Sequence, residues 1–208
     1  VGYWHQAHSF VRGNWRNETE SSFMLLAKSC HDLDWIRYVM GAPCKSLSSF
    51  GSLKHFRKEE QPEGAADRCL DCDVEAECPY SAKQIYLGRL EKGQTGWPIN
   101  VLTPDVTKES VMDALRNGPY GRCVYACDDD VVDNQVVNML FDGGRTASFT
   151  MTAFNEAGHR KTHIFGTKGE LYGERLLKQF ITGSESKTVE TVREQIETDR
   201  AGAERAAH

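Results

Sequence analysis

The 208-residue sequence has no apolar run that reaches the roughly 20 residues needed to cross a bilayer. It also lacks a basic excess, because 25 Lys and Arg residues face 30 Asp and Glu residues and the net charge is -5. We therefore expect neither a nucleic acid nor a membrane as a partner. No G-x-G-x-x-G fingerprint or Walker loop is present, so the chain has no recognisable phosphate-binding loop of its own.

The N-terminus lacks both an initiating Met and the charged and apolar regions of a signal peptide. An alternating pattern over residues 1–10 predicts a strand that is already under way at Val1. We therefore expect a fragment, or one domain, of a longer protein. Seven cysteines, odd in number and unevenly spaced, do not suggest a secreted disulfide framework, so we expect a reducing, cytoplasmic environment.

Helical patterns occupy the first half of the chain. Leu33, Ile36 and Met40 recur at helical spacing between a potential N-cap, Ser29, and Gly41. A second helix is predicted from Pro79 to residue 90, and a third from a Thr107 cap to residues 118–119.

Strand patterns dominate the second half, after an early alternating segment at residues 44–56. Asp142-Gly143-Gly144 between two apolar runs predicts a hairpin, and a second hairpin is predicted at residues 164–172. We predict an α+β fold, with an open, largely antiparallel sheet covered by helices on one face. One domain would span residues 1–195, followed by a charged, Ala-rich tail at residues 196–208.

Two groups of side chains suggest a ligand site. His31 lies beside Asp32 at a predicted helix start, with Lys28 just before it, and a His beside a carboxylate can act as a general acid or base. The alternative is an ordinary helix N-terminus whose acidic residues complement the dipole. In a separate loop, Arg12, Trp15 and Arg16 could bind a polyhydroxylated or anionic substrate, or could simply form surface ion pairs.

A cysteine cluster offers a third candidate site. Cys69, Cys72 and Cys78 could hold a structural zinc ion if a fourth ligand, such as Cys123, came from elsewhere in the chain. The cluster could equally consist of free buried thiols or contain a disulfide.

Together these segments resemble the C-terminal domain of the glucose-fructose oxidoreductase/inositol dehydrogenase family, called Gfo/Idh/MocA. The likeness rests on residues 25–38, on the I-x-G-T-x-G-x-L-like stretch at 164–171, and on the hairpin sequence at 142–149. The resemblance implies an NAD(P)-dependent oxidoreductase that acts on a sugar, an inositol or a related polyol. A Rossmann domain outside this chain would bind most of the cofactor, so the fragment alone would be inactive, and a homo-oligomer would form through the sheet face.

The resemblance also assigns residues. His31 matches the family His that hydrogen-bonds the reacting hydroxyl, with Arg12, Trp15, Arg16 and Asp32 as candidate substrate contacts. The family commonly has an Asp four residues before this His, where the present sequence has Ala27. Lys28 could replace that Asp as a substrate contact or a base. Alternatively, the loss of the Asp would mark a non-catalytic module that binds a sugar or a partner and is stabilised by zinc.

Overall fold

The computed structural model describes residues 1–156, 158 and 160–173. The chain divides into two compact units, Val1–Ala157 and Gly158–His208. Within the described residues, no helix is both long and apolar enough to span a membrane. The predicted boundary at residue 195 and the tail at 196–208 lie outside the described residues and stay predictions.

The first unit contains helices and a small sheet. Its α-helices are α1 (Tyr3–Gln6), α2 (Met24–Ala27), α3 (Cys30–Met40), α4 (Gly88–Leu90) and α5 (Lys108–Asn117). Two π-helical segments, Ala7–Arg12 and Lys83–Leu87, follow α1 and precede α4. Its strands are β1 (Cys44–Ser52), β2 (Asn134–Phe141) and β3 (Thr146–Thr152). Single 3-10 turns occur at Lys58–Glu60, Cys69–Asp71, Glu75–Glu77, Ile99–Val101 and Pro119–Gly121.

The sheet is antiparallel, with the strand order β1-β2-β3. Alternate residues of β2 face opposite sides, as expected for a strand with one buried face. Val137, Met139 and Phe141 are buried in a cluster with apolar residues of α3, whereas Val136 and Leu140 are exposed on the other face. This arrangement confirms the predicted α+β fold with helical cover on one face of an antiparallel sheet.

Helix α3 begins and ends where the sequence indicates. Ser29 occupies the N-cap, and its carbonyl accepts hydrogen bonds from the backbone N–H groups of Asp32 and Leu33. Gly41 follows the last turn with a φ of 59° and donates its N–H to the carbonyls of Arg37 and Tyr38. This left-handed residue favours glycine, which explains the sharp end of the helix.

The other predicted helices are confirmed with one shift in boundary. Thr107 caps α5 in a capping box with Ser110, and the helix ends at Gly118. The helix predicted from Pro79 begins instead at the π-helical segment Lys83–Leu87. The residues from Pro79 to Ser81 form the preceding turn, where the Ser81 hydroxyl accepts a hydrogen bond from the backbone N–H of Gln84.

The strand predicted over residues 1–10 is wrong, because this segment is helical. The same residues also fit a helical pattern, in which Ala7, Phe10 and Val11 recur at helical spacing. All three side chains are buried. Burial of this stripe in two adjoining core clusters favours the helix. Extended pairing is limited to one isolated bridge between Gly2 and Asn155.

Both predicted hairpins are confirmed. Strands β2 and β3 are joined through Gly143 and Gly144, whose φ angles of 83° and 79° favour glycine. In the second unit, β4 (Thr162–Gly166) pairs with β5 (Gly169–Gly173) in an antiparallel hairpin.

Candidate functional site

Two histidines of the N-terminal helix meet an exposed tryptophan. His5 lies in the last turn of α1 and His8 lies three residues later, so helical geometry places them on the same side. The ring centroids of His5 and His8 lie 5.0 Å and 5.3 Å from that of Trp97. Trp97 is 49% exposed and His5 is partly exposed, whereas His8 is buried beneath them, so the group presents an indole and one imidazole to solvent.

Trp4 and Arg89 extend this aromatic surface. The Trp4 ring lies 5.3 Å from that of Trp97, and the Arg89 guanidinium carbon lies 4.1 Å from the Trp4 ring centroid. This distance is within the range of a cation–π contact. An indole face flanked by hydrogen-bonding groups suits a ligand ring that carries hydroxyls. The C–H face of such a ligand can stack on the indole while its hydroxyls form hydrogen bonds with the polar groups.

His8 is held from several sides. Only 2% of its surface is exposed, its Nδ1 lies 2.9 Å from the Tyr86 hydroxyl, and its ring stacks on Tyr120 at 5.0 Å. Burial, followed by the charge of Arg12, lowers the pKa of His8 to about 4. The imidazole is therefore neutral near pH 7.

His5 links the aromatic group to the predicted site. Burial, and then the positive charge of Lys28, lowers the pKa of His5 to about 3. This effect places Lys28 in the electrostatic environment of His5. Two neutral imidazoles and an exposed indole thus form the candidate site, which we call the His–Trp face (His5, His8 and Trp97).

The comparison with known families decides the family of this domain. A family model described as "Oxidoreductase family, C-terminal alpha/beta domain" matches residues 1–206. The chain belongs to this Gfo/Idh/MocA oxidoreductase family. The match confirms the resemblance identified from the motifs and agrees with a chain that carries no Rossmann domain.

A curated relative supports the same assignment at lower similarity. The Gfo/Idh/MocA domain is 24% identical over 184 residues to "Putative oxidoreductase YteT" of Bacillus subtilis (strain 168). The alignment covers 82% of this chain but only 39% of that protein. No solved structure matches the domain significantly.

Within this Gfo/Idh/MocA domain, the predicted catalytic residues lie around the start of α3. His31 is exposed in the first turn of the helix, while Lys28 and Asp32 are partly buried. The His31 imidazole is therefore accessible to solvent, and its predicted role requires such access. Its chemical role remains a prediction.

The predicted Arg12–Arg16 loop separates into three different environments. Arg12 is 1% exposed and donates to the carbonyls of Arg122 and Tyr80, so it stabilises the interior and does not enter the function proposed below. Arg16 forms a two-point ion pair with Asp128, as the surface-pair alternative predicted. Trp15 is 47% exposed.

The predicted zinc set is not assembled. Within the part of the chain that the structure describes, no group of three His, Cys, Asp or Glu residues could hold a metal ion. All seven cysteines are free thiols, and burial raises the pKa of Cys78 and Cys123. Zinc needs thiolates, whereas the Cys69 sulfur instead accepts a hydrogen bond from Arg12 at 3.4 Å.

Sequence reasoning missed His5, His8 and Trp97 as candidate site residues. The strand predicted over residues 1–10 would put the two histidines on opposite faces, although their spacing of three also fits one face of a helix. No local pattern connects them with Trp97, which lies about 90 residues further along the chain.

Proposed function

We propose that this domain forms the substrate-binding side of an NAD(P)-dependent oxidoreductase that acts on a sugar, an inositol or a related polyol. The observation that carries the proposal is the exposed Trp97 indole beside His5 and His8 in a domain of an oxidoreductase family. The Trp97 indole would stack on the apolar face of the sugar ring, and the partly exposed, neutral His5 imidazole would accept or donate a hydrogen bond. The buried His8 would support this surface from the interior without contacting the substrate.

Oxidation of a carbinol removes a hydride from carbon and a proton from the hydroxyl, and a carbonyl group forms. A nicotinamide supplies the hydride acceptor, while the residues of this chain bind the substrate and move the proton. We assign the hydroxyl proton to His31, with Asp32 stabilising the charged imidazole and Lys28 orienting the hydroxyl. The sequence has neither a G-x-G-x-x-G fingerprint nor a Walker loop, and we propose that the nucleotide pyrophosphate is bound mainly by a domain outside this chain.

The experiment uses the full-length protein, with NAD and NADP offered separately against a panel of hexoses, inositols and linear polyols. Trp97→Ala should raise KM about tenfold, because a stacking surface is lost. His31→Ala should lower kcat by about 10²- to 10⁴-fold. Lys28→Met should change the pH profile of kcat/KM, and an unchanged profile would remove Lys28 from proton transfer.

Trp15 provides a matched comparison, because the two tryptophans are almost equally exposed. If Trp15→Ala raises KM while Trp97→Ala does not, the substrate binds at the loop indicated by the sequence and the His–Trp face is the wrong site. Absence of nicotinamide reduction with every sugar and polyol would contradict the proposed reaction.

A second candidate function follows from Ala27. Without a carboxylate at this position, the domain would bind a sugar or a partner but catalyse no oxidation. Sugar binding measured by calorimetry, together with no activity in the native protein and activity gained in Ala27→Asp, would favour this function over the first.

We also propose a homo-oligomer that forms through the open face of the sheet. Phe50 is 71% exposed, and it pairs across the strands with Val136, which is 41% exposed. Paired residues lie on the same face, so the two form an apolar patch. Phe50→Glu should lower the mass measured by light scattering if this face is the interface.

We further propose a reducing, cytoplasmic environment for this domain, and its free thiols support that proposal.

A further inference from the structure

A cavity of about 250 Å³ lies between the 3-10 turn Cys69–Asp71, the π-helical segment Lys83–Leu87 and α5. Three of the side chains that line it are cationic, namely Arg68, Lys83 and Arg116. This local excess is unusual in a chain whose net charge is -5. It suggests a site for an anion that is separate from the His–Trp face.

Two of the cations are held in place by the fold. The Arg68 guanidinium donates from Nη2 to the carbonyls of Leu115 and Gly118, at 2.8 Å and 2.6 Å. The Lys83 ammonium lies 3.3 Å from a Glu75 carboxylate oxygen. Side chains fixed in advance lose less conformational freedom when a ligand binds.

The third cation, Arg116, is more accessible to a ligand than Arg68 or Lys83. Arg116 is exposed in the last turn of α5, one helical turn after Met112 on the same side. Within the described residues, Arg116 forms no salt bridge. Its guanidinium can therefore turn toward a bound carboxylate and form a charge-assisted hydrogen bond.

The remaining lining is mostly apolar. Leu70, Leu87 and Met112 provide a surface that would bury a hydrocarbon group, and Asp71 is the carboxylate in the lining. Leu87 lies four residues after Lys83, at the opposite end of one π-helical segment. Such segments occur frequently at functional sites.

The net charge around the cavity indicates which class of ligand it would bind. Arg68, Lys83 and Arg116 face two carboxylates, Asp71 in the lining and Glu75 beside Lys83, which leaves one positive charge. We propose that this cavity binds a small organic monocarboxylate whose apolar body contacts Leu70, Leu87 and Met112. A phosphate dianion would overcompensate the charge and would leave the apolar surface uncovered.

The test uses benzoate as the probe and the methyl NMR signal of Met112 as the reporter in the full-length protein. Benzoate should shift this signal saturably, and the neutral isostere benzamide should bind at least about tenfold more weakly. Inorganic phosphate should bind more weakly than benzoate. The methyl signal that disappears in Met112→Leu is assigned to Met112.

Arg116→Ala and Lys108→Ala form a matched pair, because each removes one exposed cation from α5 and only the first lines the cavity. Arg116→Ala should weaken benzoate binding about tenfold, and Lys108→Ala should leave it unchanged. Equal binding of benzamide, tighter binding of phosphate, equal effects of the two substitutions, or no shift of the Met112 signal would each overturn the proposal.

Discussion

The hydroxyl of Tyr86 lies 2.9 Å from Nδ1 of His8, and both side chains are buried. Burial raises the pKa of Tyr86 and lowers that of His8, so both groups are neutral when they interact. The bond fixes the orientation of an imidazole whose ring also contacts Trp97. Tyr86 therefore stabilises the His–Trp face by holding the His8 ring in one orientation.

Tyr86→Phe should lower the free energy of unfolding by about 1–3 kcal/mol, because it leaves a buried imidazole nitrogen without its partner. Urea denaturation measures this change. Tyr120→Phe is the matched control, since Tyr120 stacks on the same imidazole but makes no hydrogen bond to it that the structure shows. Equal stability of Tyr86→Phe and the native protein would contradict a stabilising role for the bond.

The buried histidines should make the protein sensitive to acid. The pKa values of His5 and His8 are lowered to about 3 and about 4, below the ordinary 6.5 of the unfolded chain. Between these values the unfolded chain binds more protons, so stability should fall as the pH drops below about 6.5. His8→Gln should reduce this dependence, as followed by thermal melts between pH 4 and 7, and an unchanged pH dependence in this variant would contradict the prediction.

Asp129 should have the opposite pH dependence. Its two carboxylate oxygens are buried and have no hydrogen-bond partner within the described residues, and burial raises its pKa to about 8. The folded state retains a proton that the unfolded state releases above about pH 4. Stability attributable to this group should therefore fall as the pH rises from about 4 to 8.

Asp129→Asn should accordingly raise the melting temperature at pH 8 and remove this part of the pH dependence. Asp130→Asn provides the contrast, because Asp130 accepts hydrogen bonds from the Asn17 amide and the Glu18 backbone. That substitution should lower stability. A lower melting temperature for Asp129→Asn at pH 8 would show that its carboxylate is ionised and bound by a partner.

Arg12 should prove essential for stability. Its Nε and Nη2 groups donate to two backbone carbonyls at 2.7 Å and 2.8 Å in the interior. Arg12→Met would leave both carbonyls without these donors, and we expect a loss of about 2–5 kcal/mol. Denaturant unfolding provides the measurement, with the exposed Arg57→Met as a control that should change stability by less than about 0.5 kcal/mol. A small effect for Arg12→Met would reopen a role for this residue in substrate binding.

The local elements were largely predictable because their signals are local. The Thr107 cap, the left-handed Gly41 and the glycine pair at 143–144 each constrain the backbone within a few residues. The N-terminal segment was misread because its ten residues fit both a period of two and a helical stripe. Burial of Ala7 and Val11 in one core cluster with Phe56 and Val124 decides between the two patterns, and these residues are distant in sequence.

The candidate site was less predictable, because its residues come from segments that are distant in sequence. The motif around His31 identified the family from sequence, and the family match confirms it. Neither the burial of Arg12 nor the contact of Trp97 with His5 follows from residue types, because both depend on segments about 60 to 110 residues apart. Cysteine spacing likewise does not specify whether thiols converge on a metal, and within the described residues no group of three potential ligands could hold one.

The sequence alone determined the family, the α+β class and the ends of the main helices and hairpins, since these depend on short-range periodicity, capping and turn chemistry. Only the tertiary structure decided that the first segment is helical, that Arg12 is interior, and that two histidines meet Trp97. Those features arise from the burial of side chains against distant parts of the chain, and a linear pattern does not record which distant surfaces will meet.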